Sequence, residues 1–156
     1  MHILLFAILF CPLTAIQTED VSDFIKQLDS ADSGVRFNAA RELTWMGAKA
    51  EPATARLLEL LGDNEAPFEN AIQYFGPRVN DAASGALAEI GEPAVAGLIE
   101  TLKSEDITIR MKAADTLGKI GPPAARSFPM LRDLILNDPD QWVRFRGIDA
   151  IASRDK

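Results

Sequence analysis

The feature that most constrains this chain is an internal register of 74 residues. Sliding the sequence along itself by that distance aligns Val21, Ile25, Leu28, Ser30, Asp32, Arg36, Ala39, Ala40, Leu43, Gly47 and Ala50 with Val95, Ile99, Leu102, Ser104, Asp106, Arg110, Ala113, Ala114, Leu117, Gly121 and Ala124. Phe24/Leu98, Val35/Ile109, Phe37/Met111 and Met46/Ile120 are conservative matches in the same register. A gapless self-match of this length is the signature of a stacked-repeat architecture, in which each unit buries its apolar face against the next.

The repeated unit has a definite physical form. Val95, Leu98, Ile99 and Leu102 fall at i, i+3, i+4 and i+7, the stripe of an amphipathic helix, and Val21, Phe24, Ile25 and Leu28 repeat it. A short polar turn follows and ends in Asp106, with Asp32 and Asp140 in the same place, where a carboxylate can accept the free N–H groups that open a second helix. Arg36, Arg110 and Arg144 lie one turn later, so each Asp and Arg is read as a cap and an interhelical or inter-repeat brace. The second helix runs to Gly47 or Gly121, residues suited to the left-handed conformation that ends a helix, and Pro52, Pro93 and Pro123 suit the first turn of the next.

A 74-residue spacing implies two units of about 37, and the intermediate unit is present: Ala55–Leu61, then Val79–Ile90 with Ala82-Ala83, Leu87 and Gly91. A fourth unit places Phe128, Leu131, Leu134 and Ile135 on one helix and Val143–Ser153 on the other. The second unit has Val79 where arginine is expected, and Gly147-Ile148 replaces Ala-Ala in the fourth. About ten residues are inserted between the helices of the second unit, within Gly62–Arg78, and they include Phe68, Tyr74 and Phe75; this insertion either carries binding or folds down over a groove. The pattern from Val95 to Gly121 resembles the bacterial HEAT-like repeats of the phycobilin lyase type. That resemblance covers nearly all of residues 20–153. It implies an all-α fold, an alpha-alpha superhelix or solenoid of about four helical hairpins, right-handed, with the second helices on its inner face. The expected organisation is a leader at 1–17 and a repeat domain at 18–156, with units at about 19–48, 51–91, 93–121 and 123–154.

The leader is expected because Met1–Gln17 has no Asp, Glu, Lys or Arg and Ile3–Phe10 is unbroken apolar sequence, too short to span a bilayer as a mature helix. It reads as a secretory signal, cleaved after Ala15 or Gln17, and places the protein in the periplasm or outside the cell; the competing readings are a short apolar first helix of the solenoid and a retained, uncleaved anchor. Cys11, the only cysteine, lies inside it between Phe10 and Pro12, where the small residue that precedes a lipidated cysteine is missing. A mature chain would then hold no disulfide, and packing alone would stabilise it.

Chemistry is constrained by what the chain lacks. The sole histidine is His2, so histidine base chemistry, Ser-His or Cys-His pairs and the His-Glu iron ligands of HEAT-like deoxyhypusine hydroxylase have no residues to use in a mature chain. The acidic clusters Glu105-Asp106 and Asp138-Pro139-Asp140 lie at turns, where capping explains them, and Gly118–Gly121 ends a helix instead of cradling a phosphate. No enzyme activity, metal or cofactor is expected. A formal net charge of −7 argues against nucleic acid, and membrane contact is expected only through the leader. The charge is uneven: residues 18–92 carry 14 acidic and 6 basic side chains and residues 93–156 carry 9 and 10, a difference that solvated helix faces explain.

The expected function is to bind another protein or peptide on the exposed face of the second helices. Helical spacing places Thr108, Lys112, Asp115 and Lys119 there, with Gly34, Asn38, Arg41 and Trp45 as counterparts in the first unit, Asp81, Ser84 and Ala88 in the second, and Trp142, Arg146, Asp149 and Ser153 in the fourth. The candidate binding residues are Arg41, Trp45, Lys112, Asp115, Lys119, Trp142 and Arg146. Tryptophan and arginine are favoured at binding hot spots, whereas tryptophans at helix ends also cover seams between units. The alternative function is a tetrapyrrole-binding chaperone or lyase like the phycobilin lyases. Self-association through Met130–Lys156, which lacks a polar capping unit, is a further expectation.

Overall fold

The computed structural model describes residues 20–67 and 76–153. The expected leader and Phe68, Tyr74 and Phe75 of the insertion lie outside the described residues. Eight α-helices follow one another: α1 (Val21–Gln27), α2 (Ser33–Met46), α3 (Thr54–Glu59), α4 (Val79–Ile90), α5 (Glu92–Thr101), α6 (Ile107–Ile120), α7 (Phe128–Asn137) and α8 (Gln141–Ala152). They form four hairpins, α1/α2, α3/α4, α5/α6 and α7/α8, with no strand among the described residues. The all-α solenoid expected from the repeat register is the observed fold.

Local chemistry sets the helix ends. Asp32 accepts from the backbone N–H of Gly34 at 2.7 Å and of Val35 at 3.3 Å; Asp106 does the same for Thr108 and Ile109, and Asp140 for Trp142 and Val143. Each satisfies donors that the first turn of a helix leaves unpaired, worth about 1 kcal/mol per cap. At the other ends of α2, α4 and α6, Gly47, Gly91 and Gly121 take φ of 56°, 77° and 70°, where a Cβ would be strained.

The second helices α2, α4, α6 and α8 stack in chain order, each also packed on its own first helix, and the core fills the space between the two layers. Small residues set the spacing between neighbouring second helices. Ala39, Ala40, Ala83, Ala86, Ala113 and Ala114 are all fully buried, and a Cβ on Gly118 would come within 2.8 Å of the Ala150 Cα. Leucines from both layers, Leu28, Leu43, Leu57, Leu87, Leu98 and Leu131 among them, supply the apolar area, roughly 1.5–3 kcal/mol per buried side chain.

The repeated arginines are inter-unit clamps. Arg110 directs Nη1 to the carbonyls of Ser104 and Glu105 in its own turn, at 2.8 and 3.0 Å, while Nε and Nη2 grip Asp138 of the next unit at 2.8 and 3.1 Å. Arg36 repeats the arrangement: Nη1 binds the carbonyls of Ser30 and Ala31, Nε binds Asp63 at 2.7 Å and Nη2 binds Glu65 at 2.8 Å. Neither arginine pairs with the capping aspartate four residues before it. A planar guanidinium suits this task because it satisfies backbone oxygens and a carboxylate at once.

The second unit differs from the sequence reading. Counting back from the helix-ending glycines, Gly91 against Gly121 and Gly47, places Asn80 and not Val79 at the arginine position. The one-residue slip arises because Ala82-Ala83 invites alignment with Ala39-Ala40 and Ala113-Ala114, whereas Leu87 and Gly91 align Ala83-Ser84 with those pairs. Asn80 is 1% exposed, and neither of its side-chain polar atoms has a hydrogen-bond partner among the described residues. The same slip explains Ser84, expected on the outer face: it is fully buried and shares a 2.8 Å hydrogen bond with Thr116 of α6.

Candidate interaction face

The face of the second helices is organised in rows that cross the stack. One row, set by distance from the terminal glycines, holds Trp45, Glu89 and Lys119; the next holds Arg41, Gly85 and Asp115, and a third holds Asn38, Ala82 and Lys112. Each helix contributes these positions because residues four or three apart return to the same side.

The third and fourth units bring their candidates together. Lys112, Asp115 and Arg146 meet beside Met111, around a pocket of about 60 Å³. Asp115 and Lys119 also line a larger groove of about 380 Å³ between α6 and α8, with Asp149 and Ser153 opposite and Gly118 and Ala150 at its base. The glycine that allows close helix approach therefore also shapes the groove.

Charges on this face are largely compensated from within. Lys112 Nζ pairs with Asp81 of α4, and Lys119 Nζ pairs with Asp115 at 2.8 Å while reaching Ser84 Oγ at 3.2 Å. Burial pushes the Asp81 carboxyl up, but the Lys112 hydrogen bond, the Arg78 backbone N–H and the charges of Lys112 and Lys119 outweigh it and hold Asp81 below the ordinary carboxylate value. Arg146 is looser, 3.7 Å from Asp149. Arg41 lies over the Phe37 ring at 5.9 Å and has no carboxylate partner among the described residues.

The tryptophans stand apart from these networks. Trp45 is 81% exposed near the end of α2, and Trp142 is 60% exposed at the second residue of α8. They do not cover seams between units, the alternative that their helix-end positions raised. Arg41 and Trp45 belong to the first unit and lie at the opposite end of the stack from Trp142 and Arg146, so the seven candidates form a rail along the stack, not one pocket.

Among the described residues, no group of three or more His, Cys, Asp or Glu side chains is placed to hold a metal ion. No described helix is long and apolar enough to cross a membrane.

Comparison with known proteins places this architecture. The family model for HEAT repeats matches residues 68–152, more than half of the sequence. This chain belongs to the HEAT repeat family. Among solved structures with a similar HEAT-like backbone is the complex of CpcE and CpcF of phycocyanin lyase from Nostoc sp. PCC7120, at 20% identity and a TM-score of 0.52, covering 92% of this chain and 56% of that one. An engineered protein matches at 22% identity and a TM-score of 0.48, covering 87% of this chain and 62% of the other. The chain thus spans about three fifths of the length of either structure, and at these identities the likeness is one of fold. No curated protein matches the sequence.

Sequence reading identified the helix faces but missed one set of residues. Ser30, Asp63, Ser104 and Asp138 occupy a single structural position in the four units, each accepting from the backbone N–H two residues on, at 3.1, 3.1, 3.2 and 2.9 Å. The signal was present as Ser30-Ala31-Asp32, Ser104-Glu105-Asp106 and Asp138-Pro139-Asp140, where one position alternates between Ser and Asp ahead of a constant capping Asp.

Proposed function

We propose that this HEAT repeat chain is an exported, non-catalytic scaffold that binds another protein or peptide along the exposed face of its second helices. The observation that carries this reading is the pair of tryptophans, 81% and 60% exposed on a face whose other side chains are mostly polar or charged. A solvent-facing indole leaves a large apolar surface in water, and such residues anchor interfaces when a partner covers them. Arg41, held over Phe37 and without an ion pair among the described residues, adds a cation one helical turn from Trp45. Helical repeats of this class serve mostly as protein-binding surfaces, and the phycocyanin lyase structure is itself a complex of two proteins. The apolar run Ile3–Phe10 supports export, and the confinement of histidine and cysteine to His2 and Cys11 supports a non-catalytic role.

The test compares tagged wild-type chain with Trp45→Ala and Trp142→Ala for proteins retained from the envelope and culture fractions of the source cells. A protein held by the wild type and lost from both variants, with thermal midpoints unchanged, is the expected result. Equal retention by all three overturns the assignment of the face. A change in visible absorption on titration with a bilin or haem would instead favour the tetrapyrrole reading. Amino-terminal sequencing of the native protein tests export: a start after residue 15 or 17 is expected, and an intact Met1 in the cytoplasmic fraction refutes it.

A further inference from the structure

The first turns of α2 and α6 hold the same place in their units but are covered differently. In the seam between the first and second units, the chain itself lies over α2. From Asp63 to Ala66 it runs without regular secondary structure, and Ser33 Oγ donates to the Ala66 carbonyl at 2.8 Å. The approach is close, since a Cβ on Gly34 would come within 2.8 Å of the Pro67 carbonyl oxygen. A non-helical strip of backbone thus seats on the first turn of a second helix.

In the seam between the third and fourth units that place is open. Ile107 and Thr108 of α6 correspond to Ser33 and Gly34, but α8 begins directly after Asp140, so the chain passes straight from turn to helix. Glu105, Ile107, Arg110, Pro139 and Asp140 line a groove there of about 490 Å³. Its walls come from two units in direct contact, so it is a seam within the stack and not its end. Ile107, 46% exposed, presents a branched apolar side chain where Ser33 offers a hydroxyl. The charge of the groove is one-sided. Arg110 is fully committed, to the carbonyls of Ser104 and Glu105 and to Asp138. The Glu105 carboxylate has no partner among the described residues, and Asp140 uses Oδ1 alone, to cap α8.

We propose that this groove seats an extended segment of another protein, one that carries an aliphatic side chain for Ile107 and Pro139 and, beside it, a lysine or arginine for Glu105 and Asp140. The seam between the first and second units supplies the form of the occupant, because Ala66 and Pro67 show that backbone fits over the first turn of a second helix. The walls supply its chemistry. A cation answers two carboxylates that no cation of the described chain pairs with, and an aliphatic side chain removes Ile107 from water. The formal net charge of −7 favours the approach of such a basic segment. None of the residues lining the groove is among the seven candidates of the interaction face, so this is a second surface, on the turn edge of the stack.

The test places a photoreactive benzoylphenylalanine at position 107 of the full chain in the cells that produce it, and identifies the cross-linked peptides by mass spectrometry. The expected product joins this chain to another protein at an aliphatic residue that has a lysine or arginine within about two positions, since side chains of an extended segment alternate. Combining Glu105→Gln with Asp140→Asn removes both charges but spares the Glu105 carbonyl and the α8 cap, which asparagine also provides. That pair lowers the yield roughly fivefold, and Glu105→Lys, which sets a cation against the partner's, lowers it at least as far. Circular dichroism melts report folding; should the double variant unfold, Glu105→Lys alone decides, since its site is exposed. Cross-links only within this chain or to a second copy, cross-links to a segment without a neighbouring lysine or arginine, no cross-link, or a yield unchanged in the folded variants each overturn the proposal. Trp45→Ala leaves this cross-link intact, so failure of the tryptophan rail and failure of this groove are separately visible.

Discussion

Replacing Arg110 with asparagine reproduces at the third unit what Asn80 does at the second, and its cost follows from the geometry. The Arg110 and Asp138 side chains are 9% and 5% exposed, and the pair is bidentate. Removing the guanidinium strands a buried carboxylate and frees the carbonyls of Ser104 and Glu105. Breaking such a buried pair from one side costs about 3–5 kcal/mol, which for a chain of this size lowers the thermal midpoint by about 10 °C. Asp138→Ser leaves Arg110 with its carbonyl partners and costs less. The double variant recreates the Asn-and-Ser combination of the second and third units, so its loss falls short of the sum of the singles by about 1.5 kcal/mol or more. Urea denaturation of the four proteins measures this. Additivity within about 0.5 kcal/mol would refute the clamp as a coupled unit.

The pH dependence offers an independent check. Burial raises the Asp138 pKa, but hydrogen bonds from Arg110 and the Asp140 N–H, with the charges of Arg110 and Arg144, overcome it and hold the carboxyl below its ordinary 3.8. A folded-state pKa below the unfolded one contributes stability that is present above about pH 4 and lost as pH falls through the depressed value. The stability gap between wild type and Arg110→Asn therefore narrows on acidification below about pH 4. A gap that widens there contradicts the ion-pair account.

Three further substitutions test the packing. Gly118→Ala puts a Cβ 2.8 Å from the Ala150 Cα and should cost about 1–3 kcal/mol in denaturant melts, since backbone on both sides resists moving; a neutral result would mean α6 and α8 separate easily. Asn80→Leu removes a buried amide with no partners and should stabilise by about 1–2 kcal/mol, shown as a higher urea midpoint; destabilisation would mean that the amide is satisfied in solution. Gly121→Ala, at φ of 70°, should cost about 1 kcal/mol by the same measurement, against no change if α6 can end without a left-handed residue.

Much of the architecture was legible because repeat proteins write local physics several times over. The amphipathic stripe of α5, the Asp106 cap and the Gly121 terminus each involve residues within about four positions, and each recurs in α1 and α2. The interaction face was legible to the same degree: helical spacing placed Lys112, Asp115, Lys119 and Arg146 on one side, and they line adjoining pockets. The second unit was harder to read because its Ala82-Ala83 pair and its Leu87 and Gly91 give registers that differ by one residue. Val79 and Asn80 are both buried, so the register is settled by Ser84, which is fully buried and bonded to Thr116 of α6.

What the sequence determined alone is therefore the hairpin and its ends, because caps, stripes and left-handed glycines act over a single turn of chain. What the tertiary structure decided is which unit each arginine answers to. Arg36 and Arg110 sit four residues from a capping aspartate, yet reach carboxylates 27 and 28 residues away, because stacking brings the next turn closer than the chain does. The exposure of the two tryptophans was decided at the same level, since a helix-end indole becomes seam or surface according to whether a neighbouring unit reaches it.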